Sequence, residues 1–254
     1  MTDTDEAGHW FEDDRFWRAA ADSLFDDEAW ESAAVDAGHL AALLDLEPGA
    51  PVLDLGCGPG RYALPLAGMG FEVTGVDRTG HYLEEASRRA AAARLTIELV
   101  RADMREFNRA GGFAVAINML TSFGYFEDPE DDLRVLRNVL ASLRPGGRLL
   151  IDTIGKEVLG RIFQARDWKT VGDDVWLFER QPVQAWSWMH NTWIRIRDGE
   201  RERFEIGHRL YSAAELMRLT LDAGFSEAEA FGDLEGANYD ETSHRLVVVA
   251  RKAA

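Results

Sequence analysis

Three glycines, Gly56, Gly58 and Gly60, interrupt the stretch VLDLGCGPGRYALPLA at residues 52–67. A turn from strand to helix needs one glycine; three leave the main chain bare enough for a ligand to lie against it. Acids recur nearby: Asp54 inside the first apolar run, Asp77 closing VTGVD, and Asp103 in RADM. A dinucleotide fingerprint, G-x-G-x-x-G counted from Gly56, would require glycine where Arg61 stands. An acid beside the loop repels a pyrophosphate but attracts an ammonium group next to a sulfonium. Asp77 can accept both hydroxyls of a ribose, and Asp103 the amino group of an adenine whose ring Met104 covers. Three carboxylates after three successive strands, with glycines in the first loop, describe a site for S-adenosylmethionine.

The elements that must position these groups follow from periodicity. Residues 10–46 carry apolar side chains at three- and four-residue spacing and read as helical until EPGA breaks the pattern. Alternating units follow: PVLDL as a buried strand, a helix over 60–68, FEVTGVD as a strand, a helix over 79–92, then LTIELVRAD and FAVAINM as strands. Asp128 is placed to cap a helix whose stripe is Leu133, Leu136, Leu140 and Leu143, and which is expected to end at Gly146 and Gly147. RLLIDTI is a fifth strand. This order implies right-handed crossovers and a parallel sheet with helices on both faces, where ligands bind beyond the carboxyl ends of the strands.

From residue 168 to 211 the texture becomes Trp-rich and alternating, and Asp198-Gly199 signals a two-residue hairpin. That turn pairs Arg197 with Glu200, Arg195 with Glu202, Trp193 with Phe204, Asn191 with Ile206 and Met189 with His208, the first two as ion pairs. A helix over SAAELMRLTLDAGF and strands at EAEAFGD and RLVVVARK close the chain.

Composition narrows the function. The chain has 254 residues and a net charge of -17, which argues against nucleic-acid partners because phosphate binding needs clustered Lys and Arg. A single cysteine, Cys57, rules out an intrachain disulfide and any paired-cysteine metal site, so no metal is expected. No apolar run reaches the ~20 residues of a membrane span and no leader pattern opens the chain, so a cytoplasmic location without membrane partners is expected. The scarcity of lysine beside plentiful arginine fits codon bias, with a salt-adapted surface as the second reading.

VLDLGCGPG, VTGVD, RADM and NMLTSFGYF followed by VLRNVLASLRPGGRLLID together resemble the class I S-adenosylmethionine-dependent methyltransferases. The resemblance covers roughly residues 40–154 and the final helix and strand pair. It implies a Rossmann-like, seven-stranded, mostly parallel sheet with helices on both faces and an antiparallel last strand. By it Asp54, Gly56 and Gly58 hold the methionine part, Asp77 the ribose, and Asp103 with Met104 the adenine, while Gly60 and Arg78 are further candidate cofactor contacts. Asn118 and Leu120 line the cofactor near the sulfur, and S-adenosylhomocysteine is the product. Arg61 either meets the cofactor carboxylate or pairs with a surface acid.

The expected organisation is an N-terminal helical lid over 1–47, a cofactor core over 48–154, an antiparallel β insert over 155–211 and completion of the core sheet over 212–254. Thr121, Ser122 and Tyr125 fall where the methyl group should be. Asn191 and His208 share the hairpin's apolar face, and Tyr211 follows just beyond. His208 and Tyr125 are the candidate catalytic groups; Thr121, Ser122, Asn191 and Tyr211 are the candidate substrate contacts. No NPPY-like motif follows the fourth strand, which argues against methylation of base amines. The expected function is therefore methyl transfer to a small-molecule acceptor. Its alternatives are an RNA or protein acceptor, or a protein that holds the cofactor without catalysis. The hairpin edge could also pair with a second copy of the chain.

Overall fold

Strands that read as unbroken apolar runs must be covered on both faces, and the computed structural model, which describes residues 9–254, shows how the cover is made. A 3-10 turn (Trp10–Glu12), α1 (Asp14–Leu24) and α2 (Asp27–Leu43) come first, each helix capped by the aspartate before it, Asp13 and Asp26. Residues 1–8 of the expected lid lie outside the described residues. Then follow β1 (Pro51–Leu55), α3 (Ala63–Gly68), β2 (Glu72–Asp77), α4 (Gly80–Ala93), β3 (Glu98–Arg101), β4 (Phe113–Asn118), α5 (Pro129–Ser142) and β5 (Leu143–Thr153).

After α6 (Lys156–Ile162) come four strands, β6 (Arg166–Val171), β7 (Asp174–Val183), β8 (Trp188–Arg197) and β9 (Glu200–Arg209). They form an antiparallel sheet of their own in that order. α7 (Ala213–Ala223), β10 (Glu227–Phe231) and β11 (Leu246–Arg251) return to the first sheet. That sheet has seven strands in the order β3-β2-β1-β4-β5-β11-β10. β1 to β5 pair in parallel, and β11 runs antiparallel to both of its neighbours. The chain winds outward from β1 through β2 to β3, then returns to place β4 on the other side of β1. A crevice opens at such a reversal of strand order.

Side-chain alternation divides the core. Leu53 and Leu55 of β1 join Phe113, Val135, Leu136 and Leu216 on one face, while Val52 joins Leu40, Leu44, Val73 and Ile117 on the other. Each of these buried apolar side chains contributes roughly 1.5–3 kcal/mol. Among the described residues no helix is long and apolar enough to cross a membrane.

Two local expectations change. α5 is capped by Asp128 as expected but ends at Ser142, not at the glycine pair. Pro145 explains this, because its ring cannot continue a helix and it biases Arg144 toward extended backbone. Leu143 instead pairs with Phe113, and the register slips before Arg148 pairs with Val115. In the second sheet all five expected hairpin pairs form around Asp198 and Gly199, with φ of 52° and 82°. Arg195 meets Glu202 as expected. Arg197 instead turns to Asp174, whose side chain is 3% exposed and offers a stronger field than the solvated Glu200.

The second sheet is tied to the first by packing and by one arginine. Trp176, Phe178 and Phe204 bury against Phe16, Ala19 and Ala20 of α1. Arg209 donates its main-chain N–H to the Gly124 carbonyl at 2.6 Å and its Nη2 to the Glu127 carbonyl at 2.7 Å. Its Nε donates to Asp132 Oδ2 at 3.2 Å, which also accepts from the Tyr211 hydroxyl at 2.6 Å. Burial pushes the Asp132 carboxyl up to about 6, against the pull of Tyr211 and Arg209. Replacing Arg209 by Ala strands that buried charge, and about 3 kcal/mol of unfolding free energy should be lost. A raised folded-state pKa means the native carboxyl holds its proton to higher pH than the unfolded one. The loss should therefore be larger at pH 8 than at pH 5, as read from urea melts at both.

Candidate cofactor and methyl-transfer site

The glycine loop takes its shape from β2. Gly56 and Cys57 both donate N–H to the Val76 carbonyl, at 2.8 and 3.1 Å, and Gly58 donates to Asp77 Oδ2 at 2.8 Å. Gly56 and Gly58 have φ of 78° and 53°, in the left-handed region. A Cβ on Gly56 would lie 3.2 Å from the Ser122 Cβ, and one on Gly58 would lie 3.3 Å from the Phe25 ring. Any side chain at either place would fill the hollow above the loop.

That hollow is one cavity at the carboxyl ends of β1, β2 and β3. Gly56, Gly58, Asp77, Arg78, Asp103 and Met104 line it from the core, and Ser122 and Tyr125 from the loop after β4. Asp77 Oδ1 also accepts the Thr79 N–H at 2.8 Å, which leaves lone pairs on both oxygens, and burial pushes its carboxyl up. Asp103 is gripped by Arg105, with Nε on Oδ1 at 3.0 Å and Nη2 on Oδ2 at 2.8 Å. Burial alone would raise the Asp103 carboxyl, but the Arg105 hydrogen bonds hold it below its ordinary value. Val76, Ala102 and Met104 make the apolar part of the wall.

Phe11, Trp17, Phe25 and Tyr82 cover the cavity. Core side chains hold that cover by its main chain: Arg78 Nη1 donates to the Phe11 carbonyl at 3.1 Å and the Tyr82 hydroxyl to that of Trp17 at 2.7 Å. Arg61 Nη1 donates to the Leu24 carbonyl at 3.0 Å, and its guanidinium lies 5.0 Å from the centre of the Phe25 ring.

Two acceptors behind the loop have no partner among the described residues. Asp54 is 2% exposed with Oδ2 unpaired, and burial together with the Asp77 charge pushes its carboxyl up to about 7. Asn118, one strand over, donates Nδ2 to the Leu55 carbonyl at 2.8 Å and leaves Oδ1 unpaired. Two buried, orphaned acceptors beside a bare main chain suit an ammonium group. With the two hydroxyl-accepting positions of Asp77 and the apolar wall near Met104, the residues present fit S-adenosylmethionine.

The remaining sequence-derived candidates separate. Gly60 lies in the turn into α3, where a Cβ would meet Ala86 and Leu64 at 3.3 Å. Arg61, Leu120 and Thr121 line a neighbouring polar cavity. Asn191 and His208 sit together in the second sheet, Nδ2 and Nδ1 3.5 Å apart, and neither lines either cavity. Burial pushes His208 down to about 4, so its ring is neutral at pH 7. Tyr211 lines neither cavity, its hydroxyl being committed to Asp132. Sequence reasoning missed the Arg105 clamp on Asp103 and the roles of Phe25 and Tyr82. The dense aromatic spacing of HWFEDDRFW was the available sign of a cover.

Comparison with known proteins bears on this geometry. The family described as methyltransferase domain matches residues 52–147. A protein of Geobacillus sp. (strain WCH70) named as a methyltransferase is 28% identical over 207 residues, spanning 79% of this chain and 84% of its own. The CcbJ methyltransferase of Streptomyces caelestis superposes with a TM-score of 0.75 at 25% identity, covering 87% of this chain and 90% of that one. CalS10 of Micromonospora echinaspora, an amino pentose methyltransferase solved with S-adenosylmethionine bound, superposes at 0.65 with 19% identity over 94% and 97% of the two chains. With its glycine loop, its acids and its sheet order all in place, the chain carries a methyltransferase domain over residues 52–147 and is similar along most of its length to S-adenosylmethionine-dependent methyltransferases.

Proposed function

We propose that this enzyme methylates a small-molecule acceptor, with Asp77 taking the ribose, Asp103 and Met104 the adenine, and Asp54 and Asn118 the ammonium end of the cofactor. The observation that carries the reading is the single aromatic-covered cavity in which the glycine loop, Asp77, Asp103, Ser122 and Tyr125 meet. Bound there, the cofactor supplies a methyl group already made electrophilic by its sulfonium. The chain's share is to align an acceptor and exclude water, and alignment alone can supply effective molarities of ~10⁵ M or more. Phe11, Trp17 and Phe25 provide the exclusion.

The choice of acceptor atom follows from what the cavity lacks. Burial pushes the Tyr125 phenol above its ordinary value, so at pH 7 it is a wall and a hydrogen-bond donor, not a base. A neutral amine attacks with its own lone pair and loses its proton afterwards, so it suits this lining better than an alcohol. An amine acceptor also accords with the amino pentose acted on by CalS10. Incubation with methyl-labelled cofactor and fractionated metabolites should place label on amine-bearing small molecules. No calorimetric binding of S-adenosylhomocysteine would sink the whole reading.

Two further outcomes test the residues. Asp77→Ala should weaken S-adenosylhomocysteine binding by about 1.5–3 kcal/mol, the scale for charge-assisted hydrogen bonds; an unchanged dissociation constant would remove Asp77 from the site. For Asp54 the sign follows from its raised pKa of about 7. An ammonium group favours the carboxylate, so binding lowers that value and releases a proton below it. Affinity should therefore rise as pH goes from 5.5 to 7.5 and level off above. In Asp54→Asn titrations the same pH series should be flat.

A further inference from the structure

Two consecutive residues after β4, Leu120 and Thr121, have φ of 55° and 62° although neither is glycine. A β-branched residue in the left-handed region is a rare conformation that its surroundings must impose. Here one residue imposes it twice. The Leu120 N–H donates to Asp152 Oδ2 at 3.1 Å and the Thr121 N–H donates to the Asp152 carbonyl at 2.9 Å.

Asp152 is itself held. It lies at the end of β5, 2% exposed, and takes both arms of Arg245: Nε on Oδ1 at 2.9 Å and Nη2 on Oδ2 at 2.7 Å. The third nitrogen, Nη1, reaches Asp36 Oδ2 of α2 at 3.0 Å, and the Tyr62 hydroxyl from the glycine loop's exit donates to the same oxygen at 3.0 Å. One chain of charge-assisted bonds thus joins the first helices, the glycine loop, the last strand and the loop after β4. Neither Asp152 nor Arg245 lines the cavity over Gly56 and Gly58. What they control is where the left-handed pair sends the chain next. The following residue, Ser122, lies against Gly56, and Tyr125 covers the same cavity.

We propose that Asp152 and Arg245 are positioning residues for methyl transfer: they hold Leu120 and Thr121 left-handed so that Ser122 and Tyr125 close over the glycine loop. This rests on the reading of that cavity as the cofactor site. Because the two residues act through backbone shape, glycine at a left-handed position should stand in for them, having no side chain to oppose that conformation.

The test is calorimetric binding of S-adenosylhomocysteine to wild type, Asp152→Asn, Arg245→Gln and the double variant Asp152→Asn/Thr121→Gly, with thermal melts of each. The single variants should bind about tenfold more weakly or worse, the scale for losing one charge-assisted contact. Adding Thr121→Gly should recover most of that loss without restoring the melting temperature. A merely structural network lowers the melting temperatures as well but predicts no recovery of binding by glycine. Wild-type affinity in Asp152→Asn, or no recovery in the double variant, overturns the assignment. If Asp152→Asn does not fold, Arg245→Lys keeps the charge, loses the two-armed grip and is read in the same way, alone and with Thr121→Gly. Absence of binding by wild type would instead overturn the cofactor reading, and this assignment with it.

Discussion

The grip of the Asp77 carboxylate on the main chain of Gly58 is the contact on which the site depends. It fixes a loop of β1 against the end of β2 and so keeps the floor of the cavity open. The same contact sets up an electrostatic problem. Asp54 lies close enough for the Asp77 charge to push its carboxyl up further, and Arg105 is taken up by Asp103 and Asp131. Asp77 in the wall of the hollow and Asp54 behind its floor, buried carboxylates without an arginine clamp, favour ligands that bring positive charge. On the proposed reading, methyl transfer would remove the sulfonium charge, and the same acids would hold the spent cofactor less strongly than the loaded one.

The cover is built on a different principle. The aromatic rings of the first helices supply bulk and dryness, while the second sheet supplies the surface against which α1 rests. Arg209 and its partner Asp132 bring that sheet to the loop after β4, and Asp152 with Arg245 shapes the same loop from the opposite side. The loop carrying Ser122 and Tyr125 is thus fixed at both ends by buried ion pairs. Such pairs add little net stability over apolar packing, but they specify one arrangement sharply because breaking either partner strands a charge.

Much of this was legible in the sequence, for identifiable reasons. Local signals were reliable where a single residue type decides the backbone. Asp198-Gly199 set the hairpin register for five residue pairs, and Asp128 capped α5 as its position before a proline and three acids implied. The glycine loop and the acids after β2 and β3 were readable because strand ends in an open parallel sheet converge. The end of α5 was misplaced because a C-terminal glycine pair was weighed above Pro145. Less visible still were contacts between residues far apart in the chain. Arg245 meets Asp36 and Asp152 across 209 and 93 positions, and nothing in the local pattern of any of the three announces it. His208 and Asn191 were correctly placed on one face of the hairpin by register, yet register says nothing of which cavity a sheet face overlooks.

The latch between core and cover also has an evolutionary bearing. Arg78, Tyr82 and Arg61 hold carbonyl oxygens of Phe11, Trp17 and Leu24, groups that every amino acid possesses. Closure is therefore indifferent to the identity of the residues it clasps. Descendants can exchange those rings for others, and so reshape the chamber for new molecules, while the clasp itself survives unaltered.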